Sequence, residues 1–114
     1  MVDERLEIEI KMLHKRICYA LADPTRILIL YQLNENPCIV NELVDALGIP
    51  QSTVSRHLAV LRERNLVNTE RDGATIKYTL DDKRIIQALD ILRDILATQL
   101  ANSVELAQSL IDED

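Results

Sequence analysis

Within the six residues from Gln51 to Arg56 the chain places an amide, three hydroxyls and a guanidinium: Gln51, Ser52, Thr53, Ser55 and Arg56. Small hydroxyls and backbone N–H groups at a helix start can hold phosphate oxygens. A guanidinium matches the acceptor pair of guanine in a major groove, and a carboxamide matches adenine or a phosphate. At about 100° per residue, Leu58 and Leu61 fall within about 40° of Val54, while Ser52, Arg56 and Glu63 fall about 160–200° away. Thr53 and Ser55 flank that outer face, and no bulky outward side chain precedes Arg62. A rod of this kind can enter a duplex groove. Hydroxyls alone would equally suit a solvated helix face. The turn at Gly48, Arg56 on the same face and a charged hairpin tip at Arg71-Asp72-Gly73 favour nucleic acid. His57, at about −60°, borders the buried face, where a hydrogen-bonded packing role or one phosphate contact suits it better than base reading.

A second group with chemical potential is His14, Cys18 and Cys38. His14 and Cys18 are four apart and share a helix face. Cys38, near a turn, could approach it. Two thiolates and an imidazole would make a soft site for zinc, cadmium or trivalent arsenic. The thiols could instead form a reversible disulfide or polysulfide bridge, or simply be small core side chains. Enzymatic readings have no support. Two glycines are too few for a phosphate-cradling loop, and Ser52, Ser55 and His57 sit on one helix with no oxyanion hole.

The elements that must position these residues follow from hydrophobic period. Leu6, Ile10, Leu13, Ile17 and Leu21 form a helical stripe over residues 4–21. Asp23-Pro24 restarts the chain as N-cap and first helical residue, leading to a helix with Ile27, Leu28, Leu30, Tyr31 and Leu33 that stops at Asn34–Pro37. Ile39–Leu47 is a short helix closed by Gly48 in the left-handed conformation. The helix from Gln51 ends near Asn65. Strict alternation in Thr75–Leu80 predicts a strand, with Leu66–Arg71 as its partner and Asp72-Gly73 as the hairpin turn. Asp81 can cap a last helix over about residues 82–111, roughly 45 Å long, with Ile85, Leu89, Leu92, Leu96, Leu100, Val104, Ala107 and Ile111 on one face. The tail Ile111-Asp112-Glu113-Asp114 is expected to fray. The expected fold is mainly α with a small β-hairpin, a winged helix-turn-helix in the order α-α-α-α-β-β-α. It is a single domain over 1–114, with the helix-turn-helix at about 40–64, the wing at about 66–80, and dimerisation helices at about 4–21 and 82–111.

Composition sets the class. The 114 residues amount to about one domain, and 47% hydrophobic content supports a packed core. Only 3% are aromatic, which argues against a sheet that stacks bases on exposed rings. No apolar run approaches the roughly 20 residues of a membrane span, and the N-terminus has no signal-peptide pattern, so a cytoplasmic protein without membrane contact is expected. Two cysteines make neither a disulfide framework nor a four-thiolate zinc site. The net charge of −6 normally disfavours nucleic acid. Residues 51–80, however, hold five basic side chains (Arg56, Arg62, Arg64, Arg71, Lys77) against three acidic ones, while the rest holds eight against sixteen. A local basic patch can bind phosphates while its acidic surroundings limit non-specific binding.

Several segments carry a resemblance. Ala20–Arg26 (ALADPTR), Val40–Leu43 (VNEL), Gln51–Leu61 (QSTVSRHLAVL) and Asn65–Val67 (NLV) make residues 10–100 resemble the ArsR/SmtB-type family of bacterial and archaeal winged helix repressors. The resemblance implies a homodimer on a palindromic double-stranded DNA operator, released by an inducer that is often a metal or metalloid. It places Gln51, Ser52, Thr53, Ser55 and Arg56 on a recognition helix and Arg71 and Lys77 on a wing. The family's Cys-x-Cys motif at the start of the third helix is absent, since Ile39 and Asn41 occupy those positions, and no histidine follows His57 for a site on the last helix. A soft metal or metalloid at Cys18 and Cys38, with His14, stays one option beside thiol redox sensing and plain packing. Broad apolar stripes on the first and last helices favour pairing across a two-fold axis over internal burial in so short a chain. The alternative reading is a winged helix that serves as a protein-interaction module without an inducer site.

Overall fold

The computed structural model describes residues 1–112. It contains α1 (Glu4–Leu13), a π-helical segment (His14–Cys18), α2 (Tyr19–Leu21), α3 (Pro24–Glu35), α4 (Val40–Leu47), α5 (Gln51–Glu63), β1 (Val67–Asp72), β2 (Thr75–Leu80) and α6 (Arg84–Asp112). The expected order of helices and hairpin is present, and the two strands form one antiparallel sheet.

Local chemistry explains most boundaries. The Asp23 carboxylate accepts the Thr25 and Arg26 N–H groups at 2.8 and 3.3 Å, with Pro24 at the first helical position of α3. Glu42 Oε1 accepts the Ile39 N–H at 3.0 Å at the start of α4, half of a capping box. Gly48 closes α4 at φ 67° with its N–H on the Val44 carbonyl at 2.8 Å. Asn65 takes φ 62° just past α5, a conformation that asparagine tolerates better than most residues.

Four expectations are corrected. Residues 4–21 are not a uniform α-helix, because His14–Cys18 winds as π. Arg64 Nη1 donates to the Lys15 carbonyl within that segment at 3.1 Å. The hairpin turn is Gly73-Ala74, one residue later than Asp72-Gly73, because Asp72 pairs with Thr75. Leu66 lies outside the strand, since its N–H bonds back to the Leu61 carbonyl at 2.9 Å and ends the helical turn. Finally, α6 begins at Arg84, and the Asp81 carboxylate accepts instead from Asn68 Nδ2 at 2.9 Å. Ile111 and Asp112 are helical; the fraying expected of Glu113 and Asp114 lies outside the described residues.

The chain divides into two compact units, Met1–Lys83 and a second one that α6 makes. The core of the first is built from Ala20, Ile29, Leu30, Leu33, Leu43, Val54, Leu58, Leu61 and Val67. Two reciprocal backbone bonds between Cys38 and Tyr78, at 3.1 and 2.7 Å, tie the turn before α4 to β2. In α1, Leu6, Ile8, Ile10, Met12 and Leu13 are exposed. In α6, Ile86 and Leu89 are buried, while Leu92, Leu96, Leu100 and Val104 are exposed. No helix of the described residues is long and apolar enough to cross a membrane.

Candidate nucleic-acid interface

The α5 helix separates two faces. Val54, Leu58 and Leu61 are buried, and Gln51, Ser52, Ser55 and Arg56 are exposed, with Thr53 half-buried at the border. The azimuths read from the sequence are therefore realised. Pro50 caps the helix without a side-chain bond, and its carbonyl serves the Thr53 and Val54 N–H groups. Among the described residues, nothing is bonded to the N–H groups of Gln51 and Ser52. Hydroxyls, free N–H donors and one guanidinium thus share one exposed helix start, a surface suited to phosphate oxygens and base edges.

The hairpin presents its cations differently. Arg71 faces Ile76 across the sheet and Lys77 faces Glu70. Cross-strand partners share a face and successive residues alternate, so Arg71 and Lys77 project from opposite faces of the ribbon. Both are exposed, but Lys77 has a carboxylate directly across from it and Arg71 does not.

Behind α5 lies a polar cluster that sequence reasoning missed except for the packing role of His57. Arg26 is 9% exposed and His57 7%. Arg26 Nε donates to the Ala20 carbonyl at 2.8 Å, Nη2 to the Tyr19 carbonyl at 3.0 Å, and Nη1 lies 3.3 Å from His57 Nδ1. A guanidinium has no acceptor, so Nδ1 must carry the lone pair and Nε2 the proton. Nε2 lies 3.9 Å from Asp23 Oδ1. Partial desolvation works against the Asp23 carboxylate, but the Thr25 and Arg26 N–H bonds and the neighbouring side chains outweigh it and hold its pKa below the ordinary value. The guanidinium of Arg26 lies 5.6 Å from the Tyr19 ring centre and that of Arg64 4.7 Å. One signal was legible: a cation in the first turn of α3 opposes the helix dipole, so Arg26 needs acceptors from elsewhere.

The candidate sensor residues are dispersed in character. His14 and Cys18 are exposed on the π-helical segment, whereas Cys38 is buried with its Sγ 3.2 Å from the Asn36 carbonyl. Burial, and then the Glu42 charge, push the Cys38 thiol pKa up, which disfavours thiolate. Both cysteines are free thiols. Among the described residues of one chain, no group of three or more His, Cys, Asp or Glu side chains is placed to hold a metal ion.

Comparison with known proteins agrees with this geometry. Residues 23–69 match the family described as "Bacterial regulatory protein, arsR family". The chain is 46% identical over 71 residues to the transcriptional regulator NmtR of Mycobacterium tuberculosis, covering 62% of this chain and 59% of that protein. It is 39% identical over 83 residues to the regulator CmtR of Mycobacterium bovis, covering 72% and 70%. The crystal structure of NolR from Sinorhizobium fredii superposes with a TM-score of 0.73 at 33% identity, over 83% of this chain and 94% of that one. The chain spans about half of two further mycobacterial regulators, at 52% and 49% of their lengths. With the winged arrangement of α4, α5 and the β1–β2 hairpin, these likenesses show that the chain belongs to the arsR family of bacterial regulatory proteins.

Proposed function

We propose that this chain is a transcriptional regulator, a repressor that binds double-stranded DNA through the outer face of α5 and touches the adjacent backbone with the hairpin. The observation that carries the reading is the division of α5: Gln51, Ser52, Ser55 and Arg56 are exposed while Val54, Leu58 and Leu61 anchor the helix. Ser52, Thr53 and Ser55 hold phosphates, Gln51 and Arg56 reach base edges, and Arg71 and Lys77 serve the wing. The protein acts as a homodimer. The exposed apolar side chains of α1 and of α6 each need cover, and a second copy would supply it and set two α5 helices about one DNA turn apart on a palindromic operator. Acting on chromosomal DNA, it works in the cytoplasm. Release follows an inducer. Exposed Cys18 favours a thiol-reactive one over a metal held within one chain.

The test uses the promoter upstream of its own gene as a labelled duplex. Binding should involve two chains per site and weaken steeply with salt, because phosphate neutralisation releases counterions. Absence of binding, or binding indifferent to salt, would favour the protein-interaction module.

A further inference from the structure

The apolar anchors of α5 set how far the helix lies from the core, but apolar contact is non-directional and leaves rotation about the helix axis weakly held. Rotation matters for a reading helix. Side-chain ends lie about 5–6 Å from the axis, so a turn of about 20° shifts Ser52 and Arg56 by about 2 Å, more than a hydrogen bond tolerates.

The directional restraint comes from the buried cluster behind α5. His57 is next to Arg56 in sequence and on the opposite side of the helix from the exposed face. Its ring lies between Arg26 of α3 and the α3 N-cap Asp23, with Nδ1 3.3 Å from Arg26 Nη1 and Nε2 3.9 Å from Asp23 Oδ1. Arg26 cannot follow a rotating α5, because its Nε and Nη2 are fixed on the Ala20 and Tyr19 carbonyls of α2. Both carbonyls lie at the short α2 helix, and the Tyr19 carbonyl is shared with the Ala22 N–H at 3.2 Å. The azimuth of α5 is thereby referred to α2 and α3.

We propose that Arg26 and His57, with Asp23, are positioning residues that hold α5 in its DNA-reading orientation, and that the hold lasts only while His57 Nδ1 keeps its lone pair. The inference rests on the DNA-binding reading above. The charged groups facing the ring are Arg26 of α3 and the α3 N-cap Asp23; α2 presents only the carbonyls already taken by Arg26. A proton on Nδ1 removes the acceptor and sets an imidazolium against the guanidinium. Asp23, on the Nε2 side, can offset the charge but cannot restore the bond. DNA affinity therefore falls as the ring is protonated.

Fluorescence anisotropy on the same promoter duplex tests this, comparing about pH 7.5 with acidification to about pH 5.5. His57→Asn supplies an acceptor that does not titrate. It should bind like wild type at the upper pH, and wild type should lose about tenfold more affinity than this variant on acidification, the scale of one charge-assisted hydrogen bond. His57→Leu should be about tenfold weaker at the upper pH. Superimposable pH profiles for wild type and His57→Asn, or full affinity in His57→Leu, would overturn the proposal. If His57→Leu does not fold, the comparison of wild type with His57→Asn decides. Nitrogen NMR gives a readout free of DNA: an unprotonated Nδ1 at neutral pH supports the proposal, and a protonated one refutes it. Failure of wild type to bind the duplex at any pH sinks the regulator reading, and the positioning role falls with it; an unprotonated Nδ1 would then locate the error in the DNA assignment.

Discussion

Replacing Arg56 with alanine separates recognition from folding. Arg56 is exposed on α5, opposite Val54, Leu58 and Leu61, and no hydrogen bond or ion pair joins its side chain to the described residues. Alanine is at least as good a helix former as arginine. Stability should therefore change by no more than about 0.5 kcal/mol. The DNA effect should be much larger. A bidentate contact to a guanine edge is worth about 1–3 kcal/mol, and a dimer presents the residue twice, so the operator complex should lose about 2–6 kcal/mol. The kind of contact is separable as well. Loss of two base contacts leaves the salt dependence intact and relaxes sequence preference, whereas loss of two phosphate contacts lowers the slope of log K against log salt by about 2 and weakens all sequences alike. Fluorescence anisotropy on promoter and scrambled duplexes at several salt concentrations, beside thermal melts of the free protein, measures each quantity. Undiminished affinity, or a loss matched by a lowered melting temperature, would refute the assignment of α5 as the reading helix.

Three further outcomes follow from the geometry. Arg71→Ala should weaken DNA binding more than Lys77→Ala, because Glu70 sits across the sheet from Lys77; equal losses in a gel-shift titration would contradict the cross-strand argument. Asp23 has its pKa depressed below 3.8 by its N–H bonds and neighbouring side chains against the pull of desolvation. Its contribution to stability is thus present above the unfolded-state value and lost as pH falls through the lower folded-state value. Asp23→Asn keeps the cap acceptor but not the charge, so the stability gap between wild type and variant should close as acid denaturation is followed downward from about pH 5; a gap that widens would disprove it. A thiol-alkylating reagent should modify exposed Cys18 well before buried Cys38, whose thiol pKa is raised, and mass spectrometry of the peptides would expose the reverse order.

The sequence by itself determined the elements and the face of α5, because both rest on local physics. Period 3.6 in Val54, Leu58 and Leu61 decides which side is buried wherever the helix lies, and Asp23-Pro24 and Gly48 mark helix ends through their own hydrogen bonds and backbone freedom. The hairpin was legible from alternation, but its turn lies one residue later because Asp72 pairs with Thr75, and β1 starts after Leu66 because the Leu66 N–H is claimed by Leu61, bonds that alternation does not register. Tertiary structure alone decided the rest. The π-helical turn at His14–Cys18 involves Arg64 from 49 positions away, and the Arg26–His57 contact spans 31. Opposite faces for Arg71 and Lys77 follow from the strand register. Contacts between distant residues depend on how elements pack, and a buried cation's partners are known only once the chain has folded around it.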